Sequence, residues 1–185
     1  MAKFSRGGAA GAGAGAGQAR MVSSYRNGHK TTLTKAELAV LAEMVIVIDT
    51  REQAPFRFAG HQVKFGTLAA GDYSIDGFTD KVSIERKTLG DYLSSIGSGR
   101  DRFKRELVKL GALDVSAVVV EADHSHVSGG QHPISKVPPE AATATMVAIW
   151  LDYRVPVFCC ANRVEAEKFT LRVLQRFFLK RRGLR

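Results

Sequence analysis

The chain has 185 residues, 45% of them hydrophobic and 24% charged, a balance typical of a folded globular protein. No stretch approaches the roughly 20 apolar residues of a membrane span, and the N-terminus lacks the apolar segment of a secretion signal. The formal net charge of +9 favours a polyanion such as nucleic acid as partner, although solvated charge at the two ends explains the composition equally well.

Residues 1–30 are dominated by glycine and alanine and contain basic residues but no acidic one. We predict a disordered basic tail over residues 1–30 and one folded domain over residues 31–185. Folding should begin near Thr34, because Thr34 and Glu37 have the spacing of a capping box at the start of a helix. The adjacent Cys159 and Cys160 are interpreted as reduced and buried, which indicates an intracellular protein, cytoplasmic in a prokaryote or phage and nuclear in a eukaryote.

After the first helix, the pattern of apolar residues predicts strands over residues 45–48, 62–65, 71–75 and 81–86. Asp76-Gly77 is a turn signal, so the last two strands should form a hairpin. Helices are predicted over residues 88–96 and 100–110, followed by a strand over residues 115–120 and a loop over residues 123–135. The remaining elements are a helix from Pro138 to about Asp152, a strand over residues 155–160 and a helix from the cap Asn162 to Gly183. This order predicts an α/β fold with a mixed central sheet flanked by helices.

Acidic residues lie where predicted strands begin or end, namely Asp49, Glu52, Asp72 and Glu85. Lys87 follows Glu85 by two residues and therefore points to the same face of an extended strand. Clustered carboxylates repel one another unless a cation lies among them, and a hard divalent cation prefers oxygen ligands. A metal ion can also activate water against a phosphodiester, with a lysine to position that water. The alternatives are a turn residue at position 49 and a solvated charge run over residues 85–87.

The order of these residues resembles the G-D-x(n)-E-R-K-x(3)-D signature of XPF-type structure-specific nucleases, which is carried here by Gly71-Asp72, Glu85-Arg86-Lys87 and Asp91. Residues 45–52, VIVIDTRE, resemble the strand of that family that ends in D-x-R-E, and residues 98–100 resemble its helix-breaking segment. The resemblance spans about residues 44–180. It implies a restriction-endonuclease-like fold and a metal-dependent endonuclease that cuts branched, flap or fork DNA in repair or recombination.

The resemblance also implies roles for individual residues. Asp49, Asp72 and Glu85 would bind Mg²⁺, for which Mn²⁺ can substitute, with Glu52 near the metal or its water. Lys87 would be the catalytic lysine of the broader PD-(D/E)xK superfamily. Arg51 and Arg86 match arginines that contact phosphate or brace the carboxylates. Asp91 matches the last motif position, where it would orient Lys87 or Arg86, and a role at the start of a helix is the alternative.

DNA contacts are expected from the basic cluster formed by Arg100, Arg102, Lys104 and Arg105, for which a solvated helix face is the alternative. We expect a stand-alone nuclease domain, without the tandem helix-hairpin-helix module that family members usually carry. Pairing through the C-terminal helices, as a homodimer or a heterodimer, is a further expectation.

Three other interpretations remain open at this point. A catalytically inactive DNA-binding scaffold subunit is the alternative function, although such relatives typically lose the motif acids. A nuclease of the same fold could instead act on RNA or on linear duplex. A zinc site could involve His124, His126 and His132 with the two cysteines, which lack the C-x-x-C spacing of structural zinc sites.

Overall fold

The computed structural model of the protein describes residues 32–129 and 136–184. The predicted tail over residues 1–30, and His132 of the zinc hypothesis, lie outside the described residues. Residues Leu33–Arg185 form one compact unit. None of the described helices combines the length and the apolar composition needed to cross a membrane.

Six strands and six helices are described, and all of them except α4 were predicted at nearby positions. They are α1 (Lys35–Leu41), β1 (Val45–Asp49), β2 (Gln62–Gly66), β3 (Tyr73–Ile75), β4 (Val82–Lys87), α2 (Leu89–Ile96), α3 (Arg100–Gly111), β5 (Val115–Val120), α4 (His124–Ser128), α5 (Pro139–Tyr153), β6 (Val157–Cys159) and α6 (Arg163–Arg181).

The strands form one mixed sheet in the order β2-β1-β3-β4-β5-β6. The pairs β1–β2, β4–β5 and β5–β6 are parallel, whereas β3 runs antiparallel to both of its neighbours. The start of β3 therefore lies beside the ends of β1 and β4, at one end of the strands. This topology confirms the predicted α/β fold with a mixed central sheet, and it gathers residues from three separate segments at one edge.

Hydrophobic side chains cover both faces of the sheet. Alternate residues of β5 show this directly, because Ala117 and Val119 pack with α1 and α6, whereas Val118 and Val120 pack with α2, α3 and α5. A strand that is buried on both faces has a continuous apolar sequence rather than an alternating one. The strand predicted over residues 115–120 is present as β5.

The predicted helix caps are present. The side chain of Thr34 accepts a hydrogen bond from the backbone of Glu37, and the side chain of Glu37 accepts one from the backbone of Thr34. Asn162 accepts a hydrogen bond from the backbone N–H of Glu165 at the start of α6. Each cap satisfies backbone donors that the helix itself leaves without partners.

Two predictions about connections need correction. Residues 123–135 were predicted as a loop, but His124–Ser128 form the short helix α4, which buries only Val127 among its residues. A helix of five residues is too short to show a helical repeat in sequence. The antiparallel pairing of β3 with β4 was predicted correctly, but residues 76–81 connect the two strands, so the connection is longer than a two-residue turn.

Gly71, directly before Asp72, occupies a backbone conformation with φ of +74°. A Cβ at this position would collide with the hydroxyl oxygen of Ser83, which donates a hydrogen bond to the carbonyl of Ala70. Both the positive φ and the close packing therefore require glycine. Gly71 sets the direction in which the chain enters β3 and so fixes the position of Asp72.

We predict that Gly71→Ala destabilises the protein by about 3 kcal/mol, because it adds a steric collision to the cost of a positive φ. Gly77→Ala is the matched control, since Gly77 has φ of +77° and open space around it. The control should lose only about 1–2 kcal/mol. Urea unfolding of both variants measures the difference, and equal losses would show that Ser83 does not constrain this turn.

Candidate active site

The residues of the sequence motif line one cleft, of about 1020 Å³, at the edge of the sheet where β1 and β4 end. All seven residues predicted to be catalytic are among those that line it: Asp49, Glu52, Asp72, Glu85, Arg86, Lys87 and Asp91. Arg51 and one side of α3 also line the cleft. Segments that are far apart in sequence therefore meet in one cleft.

The backbone of Asp72 lies between β1 and β4, which places its carboxylate beside that of Glu85. The carbonyl of Asp72 accepts a hydrogen bond from the N–H of Asp49 at 2.8 Å, and its N–H donates to the carbonyl of Ile84 at 2.9 Å. Its side-chain Oδ2 accepts from the backbone N–H of Arg86 at 2.7 Å. These bonds fix Asp72 where two neighbouring strands meet.

Glu85 and Lys87 form a buried ion pair in the cleft. The ammonium Nζ of Lys87 donates to Oε1 of Glu85 at 2.8 Å and lies 4.7 Å from the centroid of the Phe103 ring. Among the residues that the structure describes, none donates a hydrogen bond to Oε2 of Glu85 or to Oδ1 of Asp72. Each of the two carboxylates thus has an oxygen available to a ligand.

Both carboxyl groups are harder to ionise than ordinary ones. Burial, with repulsion from Glu52, raises the pKa of Asp72 to about 7. Burial, followed by repulsion from Asp72, raises the pKa of Glu85 to about 8, despite the opposing charge of Lys87. One lysine therefore does not compensate the two carboxylates of half-buried Asp72 and buried Glu85, and a further cation would stabilise the ionised pair.

Asp49 is held differently. Its carboxylate is 1% exposed and accepts hydrogen bonds from the N–H, Nε and Nη2 of Arg51, at 2.7–2.9 Å, and from the N–H of Leu68 at 2.7 Å. Burial opposes ionisation, but these hydrogen bonds outweigh it and lower the pKa of Asp49. The side chain of Arg51 is 66% exposed, so it can turn away from Asp49 without disturbing the core.

The predicted metal ligands are therefore not equivalent in this conformation. Within residues 32–129 and 136–184, no group of three or more histidine, cysteine, aspartate or glutamate side chains has the arrangement of a metal site. Asp72 and Glu85 each present an oxygen, whereas all of the hydrogen-bonding capacity of Asp49 is used by Arg51 and Leu68.

Arg86 braces carboxylates within the protein. Its Nε donates to Oε1 of Glu121 at 2.6 Å, and its Nη1 lies 3.3 Å from Oε1 of Glu52. Glu52 also accepts a hydrogen bond from the N–H of Ala54 at 2.7 Å. Of the two roles expected for Arg86, phosphate contact and bracing, these contacts fit bracing.

Asp91 lies at the edge of the cleft, in the first turn of α2. Its carboxylate accepts a hydrogen bond from the hydroxyl of Thr88 at 2.7 Å, and Thr88 accepts one from the N–H of Asp91. These contacts fit the role at the start of a helix.

The basic residues predicted to bind DNA separate into groups on α3. Arg102 and Arg105 line the cleft, Arg100 lies at a smaller neighbouring cavity, and Lys104 lines neither. Glu106 and Lys109 also line the cleft. Spacings of three, four and seven residues put positions 102, 105, 106 and 109 on one helix face. Applied to residues 100–110, that rule would have identified Glu106 and Lys109 from sequence.

Cys159 and Cys160 belong to the hydrophobic clusters on opposite faces of the sheet. Adjacent residues of a strand point to opposite sides, so the two thiols do not converge on one ion. Both are free cysteines, as predicted, but only Cys160 is buried: Cys159, also predicted to be buried, is half-buried on the edge strand β6.

A second group of charged residues, which sequence analysis missed, lies outside the lining of the cleft and contacts the lining residues Arg86 and Ala54. Glu121 directly follows β5, and Arg163 begins α6. The argument that identified Asp49 at the end of β1 applies equally to Glu121, which a strand-end search would have found. The sequence around Arg163 does not indicate its contacts, because its partners are 42 and 108–109 residues away in sequence.

The raised pKa values predict how stability depends on pH without divalent cations. Because a carboxyl with a raised pKa binds its proton more tightly in the folded state, stability should fall as pH rises from about 4 to 8. Asp72→Asn keeps an acceptor for the N–H of Arg86 but removes the repulsion. We expect the variant to be more stable than the wild type at pH 8 by about 1–2 kcal/mol, with no gain at pH 4.

Urea unfolding in EDTA at the two pH values measures this difference. Asp80→Asn is the control, because Asp80 is exposed and lies outside the cleft. A loss of stability in Asp72→Asn at pH 8 would contradict the inferred repulsion.

Comparison with known proteins gives one family and a set of similar structures. Residues 48–173 match the family described as ERCC4 domain, which covers more than half of the chain. The structure resembles "XPF from Aeropyrum pernix, complex with DNA", with a TM-score of 0.59 and 22% sequence identity over 74% of this chain and 66% of that one. A second structure, "XPF from Aeropyrum pernix", gives a TM-score of 0.55 and 21% identity over 73% of this chain and 63% of that one.

A curated relative from Methanocaldococcus jannaschii, named "Putative ATP-dependent RNA helicase MJ1505", is 23% identical over 137 residues. The match covers 73% of this chain but only 16% of that protein. The chain thus corresponds to a small part of the relative.

Proposed function

The chain belongs to the ERCC4 domain family, and we propose that it is a metal-dependent endonuclease that hydrolyses phosphodiester bonds in DNA. The observation that carries this proposal is the pair formed by half-buried Asp72 and buried Glu85, both with raised pKa and both beside Lys87 in an open cleft. Burying like charges together is unfavourable unless a cation joins them, and such perturbed groups concentrate at functional sites. The resemblance to a protein solved with DNA supports DNA as the substrate.

The side chains fit a hard divalent cation, Mg²⁺ or Mn²⁺ in its place, because they offer carboxylate oxygens and carry uncompensated negative charge. Asp72 and Glu85 would hold it, and Asp49 would join them once Arg51 has turned away. When bound, the cation would supply charge neutralisation at the scissile phosphate and a water of lowered pKa.

The residues of the chain would orient the reaction. Lys87, whose ammonium is held by Glu85, would hold the attacking water or donate a hydrogen bond to a phosphate oxygen. The exposed guanidinium of Arg51 suits bidentate contact with a phosphate, which would release Asp49. Glu52, held by Arg86, would accept a proton or a hydrogen bond from the water.

Arg102, Arg105 and Lys109 would contact the DNA backbone along the wall of the cleft. Such contacts position a nucleic acid without reading its sequence. A nuclease with this type of contact would select its substrate by shape, which fits the expectation of branched, flap or fork DNA in repair or recombination.

We also propose that two copies pair through α5 and β6. Trp150 is 58% exposed and Leu151 is 68% exposed on α5, and Phe158 is partly exposed on β6, which is an edge strand. Large apolar side chains exposed on a helix and on an edge strand are typical of an interface between subunits. A different partner with the same apolar surface would give a heterodimer.

Cleavage of labelled flap, fork and four-way junction DNA tests the nuclease proposal. The wild type should cut at least one of these substrates with Mg²⁺ or Mn²⁺ and none with EDTA. Asp72→Ala should reduce the rate by at least about a thousandfold while binding remains, because it removes a metal ligand.

Asp80→Ala, outside the cleft, is the control and should cut at the wild-type rate. Binding without cutting by the wild type, with either cation, would contradict the proposal and favour the inactive scaffold subunit. Preferential cutting of RNA or of linear duplex would correct the substrate.

Sedimentation of the wild type and of Trp150→Glu tests the proposed pairing. A charge at the centre of an apolar interface should weaken association by about a hundredfold or more. Phe65→Glu is the matched control, because Phe65 is similarly exposed at the opposite edge strand β2. A monomeric wild type, or equal dimers in all three proteins, would refute an α5–β6 interface.

A further inference from the structure

We propose that Arg163 and Glu121 are positioning residues, which hold the wall of the cleft that carries Glu52. The proposal rests on the proposed nuclease function for its effect on rate, but the contacts that it describes are independent of that function. It concerns the last helix and the end of β5, which contribute no residue of the sequence motif.

Arg163 holds the segment that leads from β1 to β2. Its Nη2 donates hydrogen bonds to the carbonyls of Ala54 and Pro55, each at 2.7 Å. Its guanidinium lies over the ring of Phe56, 5.0 Å from the centroid. One helical turn later, Glu167 accepts a hydrogen bond from the N–H of Phe58 at 2.7 Å. Arg163 and Glu167, in the first turns of α6, thus bind the carbonyls of Ala54 and Pro55 and the N–H of Phe58.

Glu121 joins Arg163 to the motif. Its Oε1 accepts hydrogen bonds from Nη1 of Arg163 at 3.0 Å and from Nε of Arg86 at 2.6 Å. Arg86 in turn faces Glu52 through Nη1, and its N–H bonds to Oδ2 of Asp72. A row of alternating charges therefore runs from α6 to Glu52, in the order Arg163, Glu121, Arg86 and Glu52.

Three members of this row of charges are buried, and buried charges interact more strongly than charges in water. The side chains of Arg86, Glu52 and Glu121 are all about nine-tenths buried. Charged hydrogen bonds in a buried network depend on one another, so removal of one member leaves its neighbour with an uncompensated charge. Without Arg163, Glu121 would pair with Arg86 alone and draw it from Glu52.

Arg163 has little part in packing α6 against the sheet. The helix is anchored by buried Leu174, Phe177 and Phe178 in its later turns, whereas the side chain of Arg163 is 40% exposed. Loss of the arginine should therefore loosen the backbone around Ala54 and Pro55, whose carbonyls it binds, and leave the fold intact. A displacement of about 1 Å near reacting groups can reduce a rate a hundredfold.

The test compares Arg163→Ala, Arg163→Lys and Glu121→Gln with the wild type. Single-turnover cleavage of fork DNA should be about tenfold to a hundredfold slower in Arg163→Ala, with the dissociation constant for DNA within about threefold. Arg163→Lys should recover part of the rate, since lysine can still reach Glu121 or a carbonyl. The effects of Arg163→Ala and Glu121→Gln should be less than multiplicative when combined.

Lys168→Ala is the matched control, because it removes an exposed cation from the same helix. It should cut at the wild-type rate. Loss of rate in Arg163→Ala that equals a loss of DNA affinity, or no loss at all, would overturn the positioning role.

Amide hydrogen exchange separates this proposal from the nuclease function. Arg163→Ala should accelerate exchange at Ala54 and Phe56, whose N–H groups bond to Glu52 and to the hydroxyl of Tyr73. Exchange in the later turns of α6 should not change. Unchanged exchange at Ala54 and Phe56 would overturn the proposal whether or not the protein cuts DNA. Absence of cutting by the wild type, with the expected exchange, would refute only the nuclease function.

Discussion

The chemistry of the cleft depends on the repulsion between two neighbouring carboxylates, those of half-buried Asp72 and buried Glu85. Both groups are bound by backbone or side-chain donors on one oxygen, and both have raised pKa values. A fold tolerates such a pair only where a ligand compensates it or function requires it. Lys87 offsets part of the negative charge of the two carboxylates. The negative charge that remains is the physical reason to expect a divalent cation.

The mixed sheet is what places these groups together. If β3 ran parallel to β1, its first residues would lie at the opposite edge of the sheet from the end of β1, and Asp72 would be far from Glu85. The reversal at β3 depends on Gly71, where only glycine fits. Around this centre, Arg51 holds Asp49 and Arg86 holds Glu52, so two of the motif acids are each restrained by a motif arginine.

Much of this architecture could be predicted from sequence, because its signals are local. Capping residues, apolar runs and strand-end acids identified the elements, and the family resemblance connected Asp49, Asp72 and Glu85. The sequence left two roles open for Arg51, phosphate contact and bracing of a carboxylate, and could not choose its pairing with Asp49 because that depends on side-chain conformation. The same limit explains why Arg163 was missed: its contacts with Ala54, Pro55 and Glu121 arise from the packing of α6 and leave no pattern in the sequence.

The central claim, that Asp72 and Glu85 form a site for a divalent cation, is tested most directly by titrating Mn²⁺ and following the free ion by electron paramagnetic resonance. The wild type should bind Mn²⁺, and Mg²⁺ should displace it. Asp72→Asn and Glu85→Gln should each weaken binding by at least about tenfold, whereas Asp80→Asn should bind as the wild type does. Absence of binding by the wild type, or equal affinity in all four proteins, would contradict the account.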